Sequence, residues 1–215
     1  MPDDLLSVVS VDVVALHYDA GRRQVFLGTH DRTTEPFLGQ RALPGVVVHS
    51  GERLRDAAQR ALGKLGITAT PPALGQVRTF DEPSRDPRGP SLAIAMWAAF
   101  PDAPALHTPE ALWEPVDAVG PLAFDHSVIV AEARDVLSDR LWRDVEFTRA
   151  LTGPEFTATD AVAITRQLSG HPPHRANLNR DLARISGLTQ TGDAPTSGAR
   201  PPKLWRWEDP TDQPA

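Results

Sequence analysis

The sequence contains no cysteine, which excludes a disulfide framework, a zinc site built from thiolates and a cysteine nucleophile. It also has no apolar run of about 18 residues, the length that a membrane-spanning helix needs. The first residues are acidic and then alternate, so they lack the basic-then-apolar order of a signal peptide. We therefore expect a soluble, cytoplasmic protein with no membrane partner.

Positive charge is also scarce, because 22 Lys and Arg residues stand against 28 Asp and Glu residues, a net charge of -6. Residues 166–206 are the exception, with seven basic and two acidic residues, a local charge of +5. Such a stretch in an acidic protein is a candidate nucleic-acid surface. The alternative is a solvated helix face, since charged runs are common on surfaces.

The composition is that of a folded chain, since 40% of the 215 residues are apolar. The 21 prolines and 15 glycines stay below the level of a low-complexity chain. The length exceeds the usual about 100 to 150 residues of one domain, so we expect two domains. We place them at residues 1–142 and 143–207, followed by a disordered tail over 208–215.

The first domain begins with a pattern of strands, a helix and further strands. Residues 8–18 and 24–28 alternate in polarity around an Asp-Ala-Gly turn, which predicts a hairpin. A short strand over 41–48 leads to Ser50, the expected N-cap of an amphipathic helix over 51–65. Strands are expected over 74–80, 92–100 and 112–119, and a helix over 126–141, capped by the Asp125 carboxylate.

The second domain is predicted to contain three short helices and two strands. The helices fall near 145–151, 158–168 and 175–185, and the strands at 188–191 and 203–207 flank a Gly/Pro/Ser-rich loop. Leu178, Leu182 and Ile185 should form the buried stripe of the third helix. Three helices followed by two strands that a long loop joins predict a winged helix-turn-helix, in which the loop is the wing.

The segment after Pro44 and Gly45 resembles the Nudix box, whose pattern is G-x5-E-x7-R-E-U-x-E-E-x-G-U. Glu52, Arg60 and Leu62 match the pattern. Val46 replaces the first glycine, and the closing pair fits Gly66-Ile67 only with one residue deleted. Three glutamates of the box are missing, and their positions hold Ala61, Lys64 and Leu65.

Those glutamates matter because spacings of three and four place them on one helix face. There they hold Mg²⁺ against a pyrophosphate and help to activate water. We therefore expect no catalytic residue, no metal site and no cofactor. Glu52 and Asp56 could still meet on one side of the helix and hold a metal, or could simply stabilise its positive N-terminus.

Over nearly its full length the chain resembles the NrtR family, the Nudix-related transcriptional regulators of NAD metabolism. The resemblance rests on residues 43–48, 79–89, 122–129, 175–184 and 203–206. It implies an α+β fold, a Nudix-type α/β/α sandwich with a mixed sheet followed by a winged helix-turn-helix. It also implies a homodimeric repressor that binds double-stranded DNA at a palindromic operator, and a domain that senses ADP-ribose or a related nucleotide.

The loop of the 79–89 segment supplies most of the candidate ligand-binding residues. Arg85 and Arg88 can pair with a pyrophosphate in a bidentate manner, and Phe80 offers a face for stacking. Arg41, where many family members carry an aromatic residue, and Glu52 complete the set. The alternative for the two arginines is a solvated loop in which Asp86-Pro87 sets a turn. The alternative for Phe80 is a position in the core. His126, after Asp125, is expected to pack rather than to act in catalysis.

The helix that begins near His174 is the expected recognition helix, since the second helix of a helix-turn-helix enters the major groove. Arg175 can bind guanine, and Asn177 and Asn179 have amides that suit adenine. Phosphate contacts are expected from Arg180, Arg184, Lys203 and Arg206. Trp205 and Trp207 should pack inward while Arg206 faces solvent.

Three functions are consistent with these observations. The first is a nucleotide-responsive DNA-binding regulator. The second is an active Nudix pyrophosphohydrolase with an appended domain, which Ala61, Lys64 and Leu65 disfavour. The third is a protein-interaction module built on an inactive Nudix fold, which would have no need of the basic stretch over 166–206.

Overall fold

The computed structural model describes residues 7–193 and 201–208. In this part of the chain a mixed sheet has the order β3-β2-β1-β6-β5, while β4 pairs with β1 and β7 with β2. The strands are β1 Val8–Asp19, β2 Gln24–Asp31, β3 Arg41–Ala42, β4 Gly45–Val47, β5 Ala73–Phe80, β6 Ser91–Pro101 and β7 Leu112–Pro115. β1 and β6 run parallel and the other pairs antiparallel, so the predicted hairpin and the mixed sheet are confirmed.

Helices cover both faces of this sheet, which explains why β1 is apolar at successive positions. Val11, Val13 and Ala15 point to one face and pack against α1, Leu54–Leu62. Val14, Leu16 and Tyr18 point to the opposite face, which is covered by α2, His126–Arg140. The expected layered α/β/α arrangement is therefore present.

The helix α1 starts later than the sequence indicated. Its N-cap is Arg53, with no side-chain cap, so Ser50 does not cap it. The residues before it form a turn in which the Glu52 carboxylate accepts a hydrogen bond from the backbone N–H of His49 at 2.8 Å. After Leu62 a 3-10 turn, Gly63–Leu65, ends at Gly66, whose φ of 68° lies in the left-handed region that favours glycine.

The C-terminal part contains three helices and a second, antiparallel sheet of order β8-β10-β9. The elements are α3 Val145–Thr152, β8 Glu155–Thr157, α4 Ala158–Ser169, α5 Arg175–Leu182, β9 Leu188–Asp193 and β10 Lys203–Trp207. The sequence pattern missed β8, and α5 ends at Leu182 rather than at residue 185. Residues 194–200 of the predicted loop between the two strands, and the predicted tail apart from Glu208, lie outside the described residues.

The small core of this part has the predicted composition. Leu178 and Leu182 of α5 are buried and Ile185 is partly buried against them, which confirms the predicted stripe. Trp205 and Trp207 are also buried, while Arg206 between them is exposed, as the alternation on a strand requires. A capping box fixes the start of α4, in which Thr157 and Asp160 exchange hydrogen bonds.

The two parts share one continuous core, because α3 and α4 pack on the same face of the large sheet as α2. Phe147 of α3 meets the ring of Trp97 at 5.1 Å between centroids. The Tyr18 hydroxyl donates to the Asp160 carboxylate at 2.8 Å, and the fully buried Gln167 bonds to the β1–β2 hairpin. Every helix in the described ranges is too short or too polar to cross a membrane.

Candidate functional site

A cleft of about 300 Å³ lies over the N-terminal half of β1. Ser10 and Asp12 of β1 and the backbone of β4 form its floor. Its walls are basic and come from separate elements of the chain, with Arg32, Arg60, Lys64, Arg85 and Arg88 among the lining residues. Gly45 is required at the floor, because a Cβ there would lie 1.9 Å from the Asp12 carboxylate. The arrangement suits an anionic ligand.

Arg85 is the centre of a buried ion-pair network in this cleft. Its guanidinium donates to both oxygens of Asp125, at 2.9 and 2.8 Å, and lies 3.5 Å from Asp12. The Asp125 carboxylate therefore bonds Arg85 and does not cap α2, which corrects the expected N-cap. Nε and Nη2 of Arg85 both donate to the Asp125 carboxylate. Because Asp125 directly precedes α2, this ion pair connects the loop that carries Arg85 to the start of that helix.

His126 and Asp12 lie side by side beneath this network. The backbone N–H of Leu43 donates to Nδ1 of His126 at 2.9 Å, and its Nε2 lies 3.7 Å from Asp12. Burial lowers the pKa of His126 to about 3, so the ring is neutral and packed, as expected. Burial raises the pKa of Asp12 to about 6, and the nearby Arg85 opposes that rise.

The matching Glu52 and Arg60 of the box form an ion pair that positions Arg60. Glu52 accepts from Nε and Nη2 of Arg60 at 3.0 and 2.7 Å, and Arg60 also donates to the Val47 carbonyl at 2.7 Å. The hydrogen bonds from Arg60 lower the pKa of Glu52 to about 2. Both oxygens of Glu52 are thus engaged, while Asp56 is exposed on α1.

The residues at the missing glutamate positions do not fit Mg²⁺. Ala61 and Leu65 have 0% exposure and pack in the core under the sheet. Lys64 lines the cleft, and its ammonium group would repel a cation. Within residues 7–193 and 201–208, no group of three or more histidine, aspartate or glutamate side chains is placed to hold a metal ion.

An aromatic ring at the cleft mouth is supplied by Phe124. Its backbone has a φ of 56°, and the guanidinium carbons of Arg32 and Arg88 lie 4.6 and 5.6 Å from its ring centre. Arg88 is itself bonded to Asp86, which lowers the pKa of that carboxyl. The ring and the planar guanidinium groups over it together form a stack to which a base could add.

The cleft includes only some of the candidate ligand residues. Arg85 and Arg88 line it, and Glu52 supports it from behind Arg60. Phe80 is not in the lining, because it ends β5 with 7% exposure and packs in the core. Arg41 lies on β3, where it bonds Glu114 instead of reaching the cleft. Among the lining residues that the sequence reasoning missed are Asp12, Arg32 and Phe124.

A second candidate surface is the exposed side of α5. Arg175, Asn177 and Arg180 are exposed there, and Arg180 donates to the Asn177 side chain at 2.6 Å. Asn179 is half-buried, and its Oδ1 is buried without a partner. Of the remaining basic candidates, Arg184 and Lys203 are exposed, and Arg206 is exposed but bonded to Glu155 at 3.0 Å.

The mixed sheet between α1 and α2, with a cleft beside the box segment, defines a Nudix-type fold. No protein-family model and no curated protein matches the chain, but solved structures do. NrtR of Shewanella oneidensis, complexed with a 27mer DNA, has 26% identity and a TM-score of 0.75, over 93% of each chain. NrtR without DNA has 27% identity and the same TM-score, over 94% of each chain.

The separate NUDIX domain of that NrtR, complexed with ADP ribose, is also similar. It has 28% identity and a TM-score of 0.54, and the match covers 64% of this chain and 93% of the domain. Since these two matches cover 93 and 94% of the chain, the chain has an NrtR-like fold over that share of its length.

Proposed function

We propose that the protein is a cytoplasmic DNA-binding repressor of NAD-related metabolism, whose Nudix-type domain senses ADP-ribose or a related nucleotide. The observation that carries the proposal is the exposed basic helix α5 in a chain with the fold of NrtR, which has been solved with DNA. A protein that only bound other proteins would have no need of this positive surface.

The C-terminal part acts as a winged helix in this proposal, over residues 143–207. Its helices α4 and α5 form the helix-turn-helix, and the β9–β10 pair forms the base of the wing. Arg175 and Asn177 are exposed at the start of α5, where recognition helices reach base edges. Asn179 turns its oxygen inward, so we assign base contacts first to Arg175 and Asn177.

Phosphate contacts come from basic residues around this helix. Arg180, Arg184 and Lys203 are exposed. Contacts of basic side chains with phosphate fix a protein on the duplex without reading its sequence. Arg206 already pairs with Glu155, so its contact is the weakest of the set. A homodimer would place two such helices on a palindromic operator, with half-sites about one helical turn or a multiple apart.

The Nudix-type domain, residues 1–142, binds its ligand without hydrolysing it. A working box needs carboxylates on one helix face, and this chain has Ala61 on α1 and Lys64 and Leu65 in the 3-10 turn that follows it. The basic cleft and the Phe124 ring retain the chemistry that suits a diphosphate and a base. We expect no magnesium-dependent hydrolysis of ADP-ribose to AMP and ribose 5-phosphate, and a clear turnover would identify a pyrophosphohydrolase instead.

The experiment that tests the proposal is fluorescence anisotropy on DNA from upstream of the protein's own gene. We expect tight, sequence-dependent binding that weakens with salt and is reversed by ADP-ribose, while a scrambled duplex of equal length binds weakly. Equal binding to both duplexes would refute the regulator. Specific binding that ignores ADP-ribose would keep the regulator and refute this effector.

A further inference from the structure

Two basic residues of the cleft form no ion pair with a carboxylate within the described residues. Three of its arginines are bonded to carboxylates, in the pairs Arg60–Glu52, Arg85–Asp125 and Arg88–Asp86. Arg32 instead donates to the carbonyls of Pro36 and Thr34, at 2.7 and 3.2 Å. In the part of the chain that the structure describes, neither Arg32 nor Lys64 forms an ion pair with a carboxylate.

These two residues lie where two cavities meet. A second cavity, of about 380 Å³, extends along the other side of Arg32 and Lys64 toward Pro109 and Leu112. Arg32, Thr34 and Lys64 line both cavities. A ligand centred on this boundary would have room for one group on each side.

The surroundings of Lys64 favour an anion at this boundary. Lys64 is an exposed residue. Partial loss of solvent around its ammonium group, with repulsion from Arg32, Arg88 and Arg60, lowers the pKa of Lys64, and Asp12 opposes the shift. Burial and Arg88 likewise lower the pKa of Arg32. Like charges gathered in this way repel one another, and a bound anion would relieve that repulsion.

We propose that Lys64 and Arg32 bind the diphosphate of the ligand directly, so that the cleft needs no divalent cation. Lys64 occupies a position at which the Nudix box has a metal-binding glutamate, so a fixed positive charge replaces the ion that this glutamate would recruit. One organic group of the ligand then occupies each cavity. The inference rests on the proposed sensing function and specifies how that site recognises its ligand.

The test is calorimetric titration of ADP-ribose in EDTA and in excess magnesium. The dissociation constants of the unmodified protein should agree within about twofold. Lys64→Met should weaken binding about 10-fold or more in both buffers, because it removes a charged donor. The matched control is Arg55→Met, an exposed basic residue on α1 outside both cavity linings, which should leave binding unchanged.

A charge-reversing variant makes the test sharper. Lys64→Glu should lose binding in EDTA, because a carboxylate repels the diphosphate. Unchanged binding by either Lys64 variant in EDTA would overturn the inference. Binding by the unmodified protein only in magnesium would also overturn it, while leaving the sensing function intact.

Failure of the effector can be separated from failure of the site. If ADP-ribose does not bind in either buffer, the proposed effector is wrong, and inorganic diphosphate in EDTA then tests the boundary alone. Diphosphate binding that Lys64→Met weakens about 10-fold, and Arg55→Met does not, would support the metal-free site. Absence of diphosphate binding would overturn it.

Discussion

Replacing Gln167 by leucine should loosen the connection between α4 and the large sheet. The Gln167 side chain accepts the backbone N–H of Val25 at 2.6 Å and donates to the carbonyl of Arg23 at 2.8 Å, so it pairs with the hairpin as a neighbouring strand would. It also accepts from the Gln24 side chain at 2.8 Å. Gln167 and Val25 both have 0% exposure, so water cannot replace the bond to the Val25 N–H in the variant, whereas Arg23 is exposed and Gln24 half-buried.

The cost follows from the buried groups left without partners. An unsatisfied buried N–H costs about 1 to 3 kcal/mol, and each lost hydrogen bond about 0.5 to 1.5 kcal/mol. Leucine has nearly the volume of glutamine, so no large cavity forms. We expect the free energy of unfolding to fall by about 3 kcal/mol, which for a chain of this size lowers Tm by about 6 to 12 °C.

Thermal unfolding followed by circular dichroism measures this change. The control is Gln190→Leu, the same substitution at an exposed position of β9, which should alter stability by less than about 0.5 kcal/mol. A Gln167→Leu protein that melts within about 2 °C of the unmodified protein would refute the reasoning. It would mean that the apolar contacts of α4 alone hold it to the sheet.

Two further predictions concern binding. Protonation of Asp12 below its raised pKa of about 6 removes a negative charge beside Arg85 and Lys64, while His126, with a pKa of about 3, stays neutral. The dissociation constant of ADP-ribose should therefore fall about 5- to 30-fold, or about 1 to 2 kcal/mol, from pH 7.5 to 5. Asp12→Asn should bind with a smaller dependence on pH, since His49 and His30 also line the two cavities, and an unchanged slope would contradict this role of Asp12. On DNA, Arg175→Ala should weaken binding to the operator by about 1 to 3 kcal/mol and relax its base preference, whereas Lys203→Ala should weaken all duplexes alike and reduce the salt slope by about 1. Fluorescence anisotropy on operator and scrambled DNA distinguishes the effects of the two variants. If Arg175→Ala weakened binding equally on both duplexes, Arg175 would have no role in reading bases.

Local periodicity was sufficient to predict most helices and their buried faces. Ala57, Ala58, Ala61 and Leu62 recur at helical spacing and all have 0% exposure. The sequence also predicted the buried stripe of Leu178 and Leu182 and the alternation of buried and exposed side chains on β10. Both patterns depend only on residues close together in the sequence. The α1 boundary was wrong because the Glu52–Arg60 pair, eight residues apart, stabilises a turn before the helix.

The cleft could be predicted only in part, because contacts between distant segments assemble it. Arg85 meets Asp125 across 40 positions of sequence, and no local pattern indicates that pair. Phe80 and Phe124 are both phenylalanines next to charged loops, and only the tertiary fold decides that the first is buried. Asp12 did leave a signal, since it is the lone carboxylate within the apolar run of β1.

The long pairing of β1 restricts how its two ends can influence each other. Asp12 lies in the cleft and Tyr18 bonds to α4, and six residues of strand separate them by about 20 Å. Because β1 is paired with β6 from Val8 to Tyr18, a slip by one residue would turn every side chain to the wrong face. The strand therefore cannot slide along its own axis, and in the proposed sensor ligand binding at Asp12 would reach α4 by a change in the tilt of the sheet or in the packing at the strand ends.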